Sequence, residues 1–127
     1  MKKEHSDYFN EMCGRVLKAV NTNVKISVLD LETSDYLSAK DRRKCIAGIC
    51  RKKDGGTFEI FIDEYYVEEF YKAEVEGNVV AQIMNGNANL IYTICHEIAH
   101  TKKGCWNHGK KHRELTAEYV RMVNEAA

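Results

Sequence analysis

Apolar residues along this chain recur in two rhythms, one helical and one alternating. Tyr8, Phe9, Met12, Val16, Leu17 and Val20 return at three- and four-residue steps, which puts them on one face of a helix. Ser6 and Asp7 stand ahead of that stripe as expected caps, and the Asn-Thr-Asn run at 21–23 should end it. Val24, Ile26 and Val28 then alternate with Lys25 and Ser27, the signature of a half-buried strand. Residues 35–44 are charged and carry no clear rhythm. Segments 45–52 and 57–63 are expected to be two strands joined by Lys53-Asp54-Gly55-Gly56. Asp-Gly favours the positive φ angles of a tight hairpin turn. In the second strand Phe58, Ile60 and Ile62 share a face.

The second half is helical. Residues 65–76 place Tyr66, Phe70 and Ala73 inward, while Val79, Val80, Ile83 and Met84 suit a short helix before an Asn/Gly-rich loop. Leu90, Ile91, Ile94, Ile98 and Ala99 form the buried stripe of a helix over 90–103, with Gly104 as its stop. A last helix over about 109–125 carries Leu115, Tyr119, Met122 and Val123 on one side. Helix, three strands, then three helices predicts an α+β domain with a small three-stranded antiparallel sheet.

Composition narrows the class without changing that picture. A chain of 127 residues, 44% hydrophobic and 30% charged, is expected to form one globular domain, 1–127. Lys+Arg and Asp+Glu both total 19, so net charge gives no reason to expect nucleic acid or an anionic membrane. Basic residues do gather at 40–53 and 102–113, and acidic ones at 59–76, a pattern that solvated faces explain. The five cysteines form no CxxC pair, which suits free thiols in a reducing compartment. The polar first residues and the lack of an apolar run of about 20 residues lead to the expectation of a cytoplasmic protein.

Candidate chemistry lies in His96-Glu97-Ile98-Ala99-His100. Residues four apart on a helix share a face, so the two imidazoles can reach one metal ion. Glu97 points to the side of that pair, where it can take a proton from water without ligating. This is the HExxH arrangement of two zinc ligands and a general base. Composition alone produces it by accident in roughly 2% of such chains. Its setting in an apolar helix adds weight, because burying His and Glu there is costly without a role.

A catalytic zinc needs a third protein ligand and an open position. His108, His112, Cys105, Glu114 and Glu118 are the candidates. His108 is favoured, because the loop 102–107 can turn the chain back and His108 begins the series His112, Leu115, Tyr119 on the next helix. His112 is then a neighbour of the ligands, a contact for the transition state, or an exposed residue. Cys95 points to another helix face and reads as packing. Trp106 is either a loop anchor or part of a substrate cleft.

His96-Glu97-Ile98-Ala99-His100 followed by Asn107-His108-Gly109-Lys110-Lys111-His112 resembles the SprT-like metallopeptidases. Their signature is HExxH, a loop, and a His-Gly pair opening a helix with an aromatic three positions after the Gly. The strand 58–63 ahead of the motif helix is similar to that family's layout, and the resemblance covers about residues 45–123. It implies a zincin-like fold, Zn2+ held by His96, His100 and His108, Glu97 as catalytic base, and a protein or peptide substrate. His112 departs from the family's aromatic at that position. Eukaryotic members cleave proteins crosslinked to DNA by means of added DNA-binding modules, a substrate not carried over here. The cluster Lys102, Lys103, Lys110, Lys111 and Arg113 offers a contact for phosphate or an acidic substrate. Two other readings remain open: a regulatory protease of the ImmA/IrrE type with Glu114 or Glu118 as third ligand, and a non-catalytic module whose metal is closed off by a fourth ligand such as Cys105. Tyr119 and His112 are the candidates for stabilising an oxyanion.

Overall fold

A computed structural model describes residues 1–42 and 46–126. The chain runs α1 (Lys3–Val20), β1 (Lys25–Leu29), α2 (Ala39–Arg42), β2 (Gly48–Lys52), β3 (Phe58–Asp63), α3 (Glu64–Glu74), α4 (Val79–Asn85), α5 (Leu90–Ala99) and α6 (Lys110–Ala126). The class is α+β, as the hydrophobic rhythm predicts. Helix α5 sits at the centre, packed against α1, α6, β2 and β3.

The sheet corrects the antiparallel expectation. Its order is β1-β3-β2; β2 runs antiparallel to β3, with Cys50 opposite Ile60, but β1 runs parallel to it, with Ile26 opposite Ile60. The cause is the length of chain between β1 and β2, positions 30–47, which allows β1 to take the side of β3 opposite β2. Parallel neighbours need such a crossover, whereas a short turn dictates an antiparallel pair. Alternation in β1 reports burial on one face and is silent about direction. At the hairpin, Lys53 N donates to Thr57 O (2.8 Å) and Gly56 N to Lys53 O (3.3 Å). Positive φ falls on Gly55 (85°) and Gly56 (79°) and spares Asp54.

Central strand β3 is buried on both faces. Ile60 and Ile62 enter the main core with Val16, Val67, Phe70, Leu90, Ile94 and Ile98. Phe61 points the other way, into a small second core with Leu31 and Leu37. Cys45, expected to open β2, lies outside the described residues, and the strand begins at Gly48.

Two helix boundaries also move. α1 starts at Lys3, with no side-chain cap bond at its N-cap Lys2. His5 is buried against Tyr71, ring centroids 4.6 Å apart, so the inward stripe begins at His5, one turn before Tyr8 and Phe9. α5 opens on Asn89, whose Oδ1 accepts from Tyr92 N (2.7 Å). It stops at Ala99 rather than near Gly104. Beyond it the chain tightens: Thr101 N donates to Ile98 O (2.9 Å) and Thr101 Oγ1 to the same carbonyl (2.7 Å). That early stop lets the loop over 100–109 fold back beneath the helix end. Among the described residues no helix is long and apolar enough to cross a membrane.

Candidate metal centre

His96 lies in the last turn of α5 and His100 at its C-cap, and the loop that follows returns His108 to them. His108 Nε2 is 3.2 Å from His96 Nε2 and 3.0 Å from His100 Nε2. Four-coordinate zinc with bonds of about 2.0–2.1 Å separates its donors by about 3.3 Å. The observed spacings are close to that edge. All three donor atoms lie within 4.8 Å of one another.

The proton arrangement favours a cation. His100 Nδ1 is 3.0 Å from the carbonyl of Cys105; a carbonyl only accepts, so Nδ1 bears the proton. In the neutral ring Nε2 then carries a bare lone pair aimed at the other two rings. Burial, reinforced by His112, His100 and His108, lowers His96 from its ordinary value to about 4. Burial also lowers His100, against the opposing pull of the Cys105 carbonyl. Rings that stay unprotonated at neutral pH are the form a metal binds. These three residues can therefore hold a metal ion.

Glu97 lies in the wall beside them. It is 5% exposed, its Oε2 is 4.0 Å from His96 Nε2, and burial pushes its carboxyl up to about 8. The wall is close because residue 48 is glycine. A Cβ there would meet Glu97 Cγ at 3.2 Å, Ile62 Cδ1 at 3.0 Å and the Phe61 carbonyl at 3.3 Å. Sequence reasoning passed over Gly48, although an isolated glycine in a strand is a recognised sign of close approach.

No protein-family model, no curated protein and no solved structure matches the chain.

A cleft of about 570 Å³ opens onto the site, lined by residues 46–50, Ala88, Tyr92, Thr93, His96, Glu97, His100, Trp106 and His108. Trp106 is thus a cleft residue, 6.1 Å from both His100 and Phe58 between ring centroids, with Lys52 Nζ 5.5 Å from its own.

The other candidates fall elsewhere. Glu114 pairs with Lys110 (3.7 Å) and Glu118 with Arg121, and neither joins the donor cluster. Cys105 Sγ faces the Lys103 carbonyl (3.8 Å) and contributes only its own carbonyl to His100. Cys95 is fully buried in the core, and burial raises its thiol to about 12. Tyr119 is buried among the core side chains and does not line the cleft. His112, for which three roles were open, is not the exposed residue: it is buried at 1% exposure behind the ligand rings.

Proposed function

We propose that this chain is a zinc-dependent metallopeptidase with a zincin-like site of the SprT-like kind. The observation that carries it is the cleft wall where three imidazole nitrogens converge beside a buried carboxylate side chain, Glu97. Imidazole nitrogens suit several transition metals, and the near-tetrahedral donor spacing with a base alongside favours zinc. A histidine as third donor favours this reading over an ImmA/IrrE-type site, and the distance of Cys105 Sγ argues against a closed structural one.

When bound, zinc supplies Lewis acidity, lowering the pKa of a water toward about 7 and polarising a carbonyl. Glu97 takes the proton of the attacking water and returns it to the departing amine. Burial raises its proton affinity, and a cation held by the three histidines would lower it again, leaving a carboxylate able to accept a proton and give it back. The surrounding burial strengthens each charge it meets. His100, held by the Cys105 carbonyl, keeps its Nε2 directed at the site.

The substrate class follows from the walls. β2 is an edge strand, and a free strand edge pairs with an extended peptide backbone. Tyr92 and Trp106 offer apolar surface to side chains of such a peptide. The exposed Lys102, Lys103, Lys110, Lys111 and Arg113 suit acidic stretches of a substrate. The free cysteines Cys13, Cys50, Cys95 and Cys105 fit a reducing, cytoplasmic setting.

Metal content and proteolysis test the reading together. Purified protein should bind one zinc per chain, lose it in His108→Ala, and cleave an unfolded casein substrate in a chelator-sensitive way. Glu97→Gln should keep its zinc while cleavage falls about 10²–10⁴-fold. Equal cleavage by wild type and Glu97→Gln, or no bound metal, rejects it.

A further inference from the structure

His112 makes an arrangement that neither a ligand nor a packing residue requires. It sits in the first turn of α6, buried behind the three donors. Its ring stacks on His100 with centroids 4.0 Å apart and planes 19° apart. It meets His96 edge-on at 4.5 Å and His108 at 5.4 Å. Its Nε2 is 2.9 Å from the backbone carbonyl of His96. That contact makes Nε2 a donor and ties the start of α6 to the last turn of α5. Nδ1, the other ring nitrogen, is buried with no hydrogen-bond partner among the described residues.

A phenyl ring of similar shape would stack on His100 equally well and leave no polar atom unpaired. An unpartnered buried nitrogen is unfavourable, so packing alone is better served by phenylalanine. What histidine adds is the bond to the His96 carbonyl. His96 projects from that backbone, and His108 lies two positions ahead of the start of α6. The bond therefore spans the two chain segments that carry the donors.

We propose that His112 is a positioning residue for the three-histidine site: by donating to the His96 carbonyl it holds α5 and α6 so that the three Nε2 atoms converge before an ion arrives. It does not touch the ion. Its effect on affinity rests on the metal-site reading above, because positioning matters only if the trio binds metal. Removing an outer partner of this kind typically weakens metal affinity 10–100-fold.

The test uses the full chain and two metals. Zinc affinity is measured by competition with a chelator, and the visible spectrum of bound Co2+ reports donor geometry. His112→Phe keeps the stack and removes the donor; His112→Gln keeps an N–H donor and removes the ring. His112→Phe should bind zinc at least tenfold more weakly, with a changed Co2+ spectrum and an unchanged or raised melting temperature of the metal-free protein. His112→Gln should recover most of the lost affinity. Wild-type affinity and spectrum in His112→Phe overturn the proposal, as does a His112→Gln no better than His112→Phe. If His112→Phe fails to fold, His112→Gln against His112→Leu makes the same comparison. A wild type that binds neither metal overturns the metal-site reading and this role with it, whereas unchanged binding in His112→Phe overturns this role alone.

Discussion

Helices α4 and α5 are neighbours in sequence, alike in composition and opposite in fate. Residues 77–95 hold no Asp, Glu, Lys or Arg, and each helix opens on an asparagine whose Oδ1 caps it, Asn78 to Ala81 N (2.9 Å) and Asn89 to Tyr92 N (2.7 Å). α5 buries its apolar residues and, with them, Thr93, Glu97 and His100. α4 exposes Val79, Val80, Ile83 and Met84 at 64–78%. It is attached to α3 through Ala81 and through two side-chain bonds, Gln82 Nε2 to Ala73 O (3.0 Å) and Asn85 Nδ2 to Glu69 O (3.2 Å). Polar chemistry is thus inside and apolar surface outside in one stretch of chain. Local apolarity predicts that a helix forms; which of its faces is covered depends on the elements that reach it.

The contrast has consequences of graded size. Ile94 is fully buried, so Ile94→Ala should cost about 2–5 kcal/mol, read as a drop in urea-unfolding free energy; a loss below 1 kcal/mol would erase the distinction. Gly48→Ala sets a methyl against Glu97 and Ile62 and should cost about 1–3 kcal/mol. Cleavage should fall further than folded fraction accounts for, because the obstructed side chain is the proposed base.

A pH series on the metal-free protein isolates the buried carboxyl. Glu97 is raised in the folded state, to about 8 from 4.5, so its stabilising contribution is complete below about 4.5 and is lost as pH rises through 8. Between pH 5 and 8 wild-type stability should fall, by at most ~1.4 kcal/mol per pH unit, levelling off above that, and Glu97→Gln should flatten the slope. His96 acts with the opposite sign. It is lowered to about 4, so stability falls as pH drops from about 6.5 toward 4. Urea midpoints across the range measure both; parallel slopes in wild type and Glu97→Gln would count against a buried, proton-holding Glu97. The smallest effect belongs to α4, where Ile83→Ser with Met84→Ser should change the melting free energy by no more than about 0.5 kcal/mol. A loss like that of Ile94→Ala would mean that those side chains are covered.

How much of this was legible follows the same division. The α5 stripe, the HExxH face and the entry of His108 at the foot of α6 are local patterns, readable because their residues lie within a few turns of one another. The parallel pairing of β1 was not, since alternation carries no direction. Nor was the early end of α5, set by local bonds of Thr101 that compete with the helix. The start of α1 was hidden because His5 reads as polar until Tyr71 is seen beside it. Gly48 and Glu97 lie on opposite sides of the chain's midpoint, and only the folded sheet brings them together. His112 looked like a spare histidine because its partner is a backbone carbonyl, which no residue type announces.

The two halves of the site also differ in when a folding chain can assemble them. His100 and His108 are eight positions apart and His96 and His108 twelve, short loops whose closure is fast and entropically cheap. The wall around Glu97 requires Gly48 and the β2–β3 hairpin, a long-range contact of the kind that slows folding. The donor histidines can therefore gather while the carboxyl still faces water, and a chain that captured an ion at that stage would hold it before the wall of the proposed base had formed.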